Sequence, residues 1–244
     1  MRAVLLLFLL LIVPARAGDM SSFDPVGFSA DGTRYAFIEY GVSDGSGAPY
    51  ATGYLIDTVN DRWVSGTPVR LGGGEPGDLS ATEIARRIAD LRAEARTRLS
   101  QAAGVETWAP GHIHVLSPAT DVSRDGSELS VGPYYSLFGR DQPVTVRLEQ
   151  LPLEQTSRDC PFGDTKGMRV TLEEGGRTSV LQEDTRIPKS RYCPTQYRLA
   201  GVQTHYVRGD GPVSRVLVVL VQMFTPGFEG SDVRWLALTK VSER

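Results

Sequence analysis

Residues 34–40, RYAFIEY, carry bulk on both faces of what reads as a strand. Side chains alternate along a strand, so Tyr35, Phe37 and Glu39 point one way and Ala36, Ile38 and Tyr40 the other. A strand with no bare polar face is expected to be covered on both sides, which commits the chain to a layered β structure. Residues 52–59 supply the partner, with Tyr54 and Ile56 on one face and Leu55 and Asp57 on the other. The connecting loop, residues 41–51, holds three Gly and one Pro and is long for a hairpin, so it should project from the sheet. Asp31-Gly32 and Asn60-Asp61 supply turn chemistry before and after, and residues 62–71 read as a third strand interrupted near Gly66.

The breaker run Gly72-Gly73-Gly74-Glu75-Pro76-Gly77 ends this unit, and one helix follows over about residues 80–103. Ser80 and Glu83 have the spacing of a capping box, and Gly104 is a stop. Ile84, Ile88, Leu91, Ala95 and Leu99 form one apolar stripe, as on a helix packed against a sheet. Glu83–Arg87 and Glu94–Arg98 stand four apart in the favourable order.

Beyond Trp108, short β-type runs return at residues 112–116, 128–131, 144–150, 168–173, 178–182, 197–208, 213–224 and 233–241, separated by Gly, Pro and Asp-Gly punctuation. Residues 216–221, VLVVLV, form a continuous run of the kind buried on both faces. The turn Ser29-Ala30-Asp31-Gly32 resembles that of β-propeller blades, and Ser123-Arg124-Asp125-Gly126 echoes it 94 positions later. Blades repeat every ~40–50 residues, so two echoes fall short of a full propeller. The expected fold is mainly β: an antiparallel sandwich-like or partial-propeller domain of about ten strands with one inserted amphipathic helix.

Arg2, the apolar run at residues 3–13 and the Ala15-Arg16-Ala17 ending are the three parts of a secretory signal peptide. Cleavage is expected after Ala17, leaving residues 18–244 as one secreted, periplasmic domain. The apolar run is shorter than the ~20 residues a spanning helix needs, and no later run is longer, so no membrane span is expected after cleavage. The chain has 29 acidic against 26 basic residues, a balance that argues against nucleic acid as a partner. Two cysteines in an exported chain, Cys160 and Cys193, point to one disulfide.

The motifs that could carry chemistry are weak. Gly41-Val42-Ser43-Asp44-Gly45 has the letters of a nucleophile elbow, but Ser46-Gly47-Ala48-Pro49 cannot start the helix that chemistry needs. Gly72-x-Gly74-x-x-Gly77 has the letters of a dinucleotide fingerprint, yet Pro76 and a separate Ser80 cap intervene. His112 and His114 share a strand face and would need His205 or Asp121 to hold zinc; no metal or other cofactor is expected. In residues 183–194, Arg186 and Arg191 have the chemistry to clamp a carboxylate or phosphate; the plainer reading is a solvated loop pinned by the disulfide, with Asp184 pairing one Arg.

FSADGTRYAFIEYGVSDGSGAPY, DTRIPKSRYCP and GFEGSDVRWLALT together resemble a bacterial family of predicted secreted proteins, domain of unknown function 2259. The likeness spans essentially all of residues 18–244 and implies export and one family-wide domain. It implies no activity and no catalytic residues.

Long loops on a β scaffold without an assembled catalytic set read as a non-catalytic binding or interaction module with an envelope component or protein partner. Its candidate binding residues are Asp44, Tyr50, Arg186, Ser190 and Arg191. The alternative is a hydrolase of envelope polymers, which would need two carboxylates from Glu39, Asp57, Glu229 and Asp232 to converge in one cleft. Mass spectrometry of the exported protein should show no alkylatable thiol until reductant is added.

Overall fold

The computed structural model describes residues 18–73, 78–133, 135–136, 139–140, 142–153, 160, 164–208, 213–228 and 230–243. β1 (Ser22–Phe28), β2 (Arg34–Val42), β3 (Pro49–Asp57), β4 (Arg62–Trp63) and β5 (Val69–Gly72) form an N-terminal antiparallel sheet. The interrupted third strand is thus two short ones, β4 and β5, both paired with β3 on either side of Gly66. After α1 (Ala81–Ala103) come β6 (His112–Leu116), β7 (Glu128–Val131) and the two-residue pair β8 (Tyr135–Ser136) and β9 (Gly139–Arg140). β10 (Val144–Pro152), β11 (Lys166–Glu174) and β12 (Arg177–Glu183) lead through a short 3-10 turn, Lys189–Arg191, to β13 (Gln196–Val207), β14 (Ser214–Pro226) and β15 (Ser231–Glu243). Two further antiparallel sheets result: a central one ordered β15-β14-β13-β6 and an outer one ordered β12-β11-β10-β7.

The sheets stack face to face, with α1 on the outside. β14 sets this order, because its alternate side chains are apolar on both faces. Val216, Val218 and Leu220 pack on Phe28, Tyr35, Phe37 and Ile56 of the N-terminal sheet. Leu217, Val219 and Val221 pack on Val146, Leu148, Met168 and Val170 of the outer sheet. β2 repeats the device: Tyr35 and Phe37 face the central sheet, while Ala36 and Ile38 meet Ala95 and Leu99 of α1. The doubly covered strands, the mainly β class and the single helix are as the sequence led us to expect.

Ser80 caps α1 by accepting from the Glu83 amide, while the Glu83 carboxylate accepts from the Ser80 amide at 2.9 Å, a complete capping box. Glu83 is therefore turned to the cap rather than to Arg87; Glu94–Arg98 and Arg86–Asp90 are ion pairs within α1, and Arg92 and Arg96 pair with Asp24 of β1. Gly104, in the left-handed region at φ 64°, ends the helix. None of the described helices is long and apolar enough to cross a membrane.

β1 escapes a sequence pattern because Pro25 and Gly27 interrupt it. It is an edge strand, where a missing amide is tolerated. Gly27 has φ 125°, and the register against β2 shifts there, so the position is a bulge. A Cβ on Gly27 would lie 2.3 Å from the Ala109 carbonyl oxygen, where the chain returns to pair with Phe28.

Leu99 is fully buried between α1 and the N-terminal sheet. Leu99→Ala should lower stability by about 2–5 kcal/mol. Urea unfolding should show this as a fall in midpoint with an unchanged slope.

Candidate functional site

The residues expected to bind are divided between two ends of β3. At its start, Tyr50 enters a buried charge cluster. The Tyr50 hydroxyl donates to Asp19 Oδ1 at 2.6 Å, and Arg234 donates to Asp19 Oδ2 at 2.8 Å. Arg234 also lies 3.9 Å from Glu39 and 4.0 Å from Asp232. Glu39 is 2 % exposed and accepts from the Trp235 amide at 3.0 Å and the Tyr54 hydroxyl at 2.8 Å. Burial raises the Glu39 pKa, against the Trp235 hydrogen bond and the Arg234 charge. Burial also raises the Tyr50 pKa, so its hydroxyl keeps its proton as a donor. For Arg234, burial opposes the charge but Tyr50, Asp19 and Glu39 outweigh it, and its pKa is raised.

Asp44 lies nearby on the loop between β2 and β3, partly buried, with one carboxylate oxygen that has no hydrogen-bond partner among the described residues. Its neighbour Gly45 sits against Phe228, which is 81 % exposed. β2 runs on to Val42 and β3 begins at Pro49, so the loop expected over residues 41–51 is reduced to residues 43–48, and it meets Phe228. Ser43 is part of a hairpin loop closed by hydrogen bonds to Ala48 and Gly47, with no helix after it. Of the dinucleotide-like run, residues 74–77 lie outside the described residues; Gly72 belongs to β5 and the helix starts from its own cap at Ser80.

The third loop, residues 184–194, lies at the other end of β3. Cys160 and Cys193 are bonded, as expected. Asp184 is buried and accepts from the Met168 amide at 2.8 Å, Gln182 at 2.7 Å and Arg191 at 2.5 Å. Arg191 is itself buried, so its charge is spent on Asp184 and it braces the loop from inside. Arg186 is exposed, without an ion pair among the described residues. Ser190 and Arg191 line a groove of ≈ 210 Å³ together with Asp61, Arg62, Trp63 and Gln182, floored by Leu236 and Leu238 of β15. Trp63 is 38 % exposed at this groove and contacts Tyr54 at 5.8 Å between ring centroids. Asp61 is turned inward to accept from the Thr239 amide at 2.7 Å, and burial raises its pKa.

Sequence reasoning missed Trp63 and Arg62, whose only signal was an exposed aromatic beside a turn, and Asp19 and Arg234, which are 215 positions apart. A second cleft, of ≈ 320 Å³, lies between β1 and residues 116–120 and is lined by Met20, Phe23, Tyr40 and Trp235; none of the expected binding residues reaches it.

Of the carboxylates considered for hydrolysis, Glu39 and Asp232 share Arg234, Asp57 pairs with Arg34 and Arg62 at the opposite end of β3, and Glu229 lies outside the described residues. His112 and His114 do share a face, with rings 4.4 Å apart, and His114 bonds Thr204 at 2.8 Å. His205 projects from the other face of β13 and stacks on Phe28, so the histidines do not converge. Among the described residues no cluster could hold a metal ion.

Three stacked antiparallel sheets, one capped helix and a disulfide-pinned loop define a mainly β protein with long surface loops. A family model described as predicted secreted protein, DUF2259, matches residues 36–240, and the chain belongs to that family. No curated protein and no solved structure matches it.

Burial, with His112 and Arg215 close by, pushes the His114 pKa down to about 4. In the unfolded chain a histidine titrates near ~6.5. Between those values the unfolded state binds more protons, so stability present above pH ~6.5 is lost as the pH falls toward 4. His114→Gln should therefore lose less melting temperature between pH 7 and pH 5 than the unaltered protein, as thermal unfolding at the two pH values would show.

Proposed function

We propose that this secreted protein is a non-catalytic binding module of the periplasm, released from its signal peptide after Ala17 and acting as one unit over residues 18–244. The observation that carries this reading is the groove beside the disulfide loop, where exposed Trp63 stands with Arg62, Gln182 and Ser190. An indole offers a broad apolar face to stack on a ring, and Arg and Ser beside it offer hydrogen bonds to anionic and hydroxyl groups. That combination suits an envelope saccharide bearing a carboxylate. Arg186, exposed on the same loop, extends the positive rim, while Arg191 holds the loop in place. Asp44, beside the loop that carries Phe228, is a separate contact at the far end, and Tyr50 contributes there by fixing Asp19 and Arg234.

The alternative, a hydrolase of envelope polymers, draws less support. Its best carboxylate pair, Glu39 and Asp232, is tied to Arg234, and Glu39 is buried beneath it.

Titration with soluble peptidoglycan fragments, followed by calorimetry, tests the groove. Trp63→Ala and the double variant Arg62→Ala/Arg186→Ala should each weaken binding about tenfold or more, the loss of roughly 1.4 kcal/mol. Binding unchanged in both, with both variants folded, would remove the groove from consideration.

A further inference from the structure

β15 is an edge strand of the central sheet, and most of its outer side is already occupied. Alternate amides of an edge strand point away from its neighbour, here those of residues 233, 235, 237 and 239. The Val233 amide donates to the Asp19 carbonyl at 2.8 Å, where Met20 forms a parallel bridge with Val233. The Trp235 amide donates to the Glu39 carboxylate at 3.0 Å, and the Thr239 amide donates to the Asp61 carboxylate at 2.7 Å. Side-chain acceptors thus close the edge before and after Ala237, which protects it against pairing with a long strand. Ala237 itself has no hydrogen-bond partner on this side among the described residues.

The groove beside the disulfide loop lies along this gap. It is lined by three successive residues of β15, Leu236, Ala237 and Leu238. Successive side chains of a strand point to opposite faces, and here Leu236 and Leu238 pack toward the outer sheet and Ala237 toward the N-terminal sheet. A groove that touches all three runs along the strand's edge and not over either face. The edges of the other two sheets form its walls. Arg62 and Trp63 are β4, at the edge of the N-terminal sheet, and Gln182 belongs to β12, at the edge of the outer one. Lys240 of β15 donates to Ser179 of β12 at 2.6 Å and ties that wall to the floor.

We propose that the groove takes a short extended peptide, one residue of which pairs antiparallel with Ala237 and exchanges both main-chain hydrogen bonds with it. The inference deepens the reading above, on which it rests for the use of the groove: the saccharide carries a peptide, and the peptide lies on β15. A hydrogen-bonded antiparallel pair needs one N–H and one C=O from each residue, and Ala237 turns both outward. The Glu39 and Asp61 carboxylates confine the pairing to that one residue. Residues directly opposite share a face, so the paired residue points its side chain toward β4, where Trp63 and the exposed Arg62 suit an acidic group. Its two neighbours point toward Gln182 and Ser190 on the other wall.

Calorimetry with soluble peptidoglycan fragments whose peptides are intact, and with the same fragments after an amidase has removed the peptides, tests this. The intact fragments should bind about tenfold or more tightly, as two main-chain hydrogen bonds provide. Ala237→Pro removes an amide that makes no bond to β14, a place where an edge strand tolerates proline. In that variant the two preparations should bind alike. Amide exchange on the unaltered protein does not depend on how the variant folds: the Ala237 amide should exchange about tenfold or more slowly with the intact fragments bound, and should not slow with the peptide-free ones. Equal binding of the two preparations that is still lost in Trp63→Ala overturns the inference and leaves the groove reading standing. Ala237 exchange unchanged by saturating intact fragments also overturns it. Binding of neither preparation removes the groove reading and the inference together.

Discussion

β14, in the middle of the central sheet, has neither face in water, and the rest of the molecule follows from that. A strand such as β14, apolar on both sides, cannot be stable in a single sheet; it needs one cover facing Val216, Val218 and Leu220 and another facing Leu217, Val219 and Val221. The N-terminal and outer sheets are those covers. The N-terminal sheet then has a second apolar face of its own at Ala36, Ile38 and Leu55, which α1 closes with Ala95 and Leu99. The outer sheet ends the stack instead, because its far face is charged. Arg147 there bridges Glu128 and Glu173 at 2.8 and 2.7 Å, a solvated ladder that needs no further layer.

The sequence made legible what local chemistry decides. The capping box of α1, its Gly104 stop and the Asp31-Gly32 turn each rest on contacts within five residues. The doubly apolar strands could be read because alternation is a local pattern. β1 could not, since Pro25 and Gly27 break its alternation and only the return of residue 109 explains the bulge. The candidate site was half visible. Residues 184–194 stand out by composition, but their polar side chains are divided between an inward brace, Arg191, and an outward rim, Arg186 and Ser190. Which residue takes which part depends on Asp184 and the Met168 amide, and no spacing encodes that. Trp63 became part of the site only because β15 lies beneath both β4 and the 3-10 turn.

Buried acids and bases in this molecule are spent on architecture. Asp184 satisfies three donors, Glu174 takes both guanidinium nitrogens of Arg215, and Glu39 ties β2 to β3 and β15. Glu174 and Glu39 link neighbouring layers, while Asp184 holds its loop to β11, and such hydrogen-bonded groups fix register more than they add net stability. The groups left facing solvent in the groove are those suited to recognition, an indole and its polar neighbours.

Met20, just before β1, forms a parallel bridge with Val233 of β15, and that contact bears on how the chain folds. The contact joins the segment before β1 to β15 and closes a loop that spans most of the described residues. Such closure carries the largest entropic cost of any contact in the fold and comes late. The segment before β1 therefore stays without its partner until β15 has formed. A chain without Arg234 and Trp235 would leave Asp19 with Tyr50 but no guanidinium, and the Ser21 carbonyl without its indole donor. Docking of the segment before β1 thus depends on β15, so the two are formed or lost together.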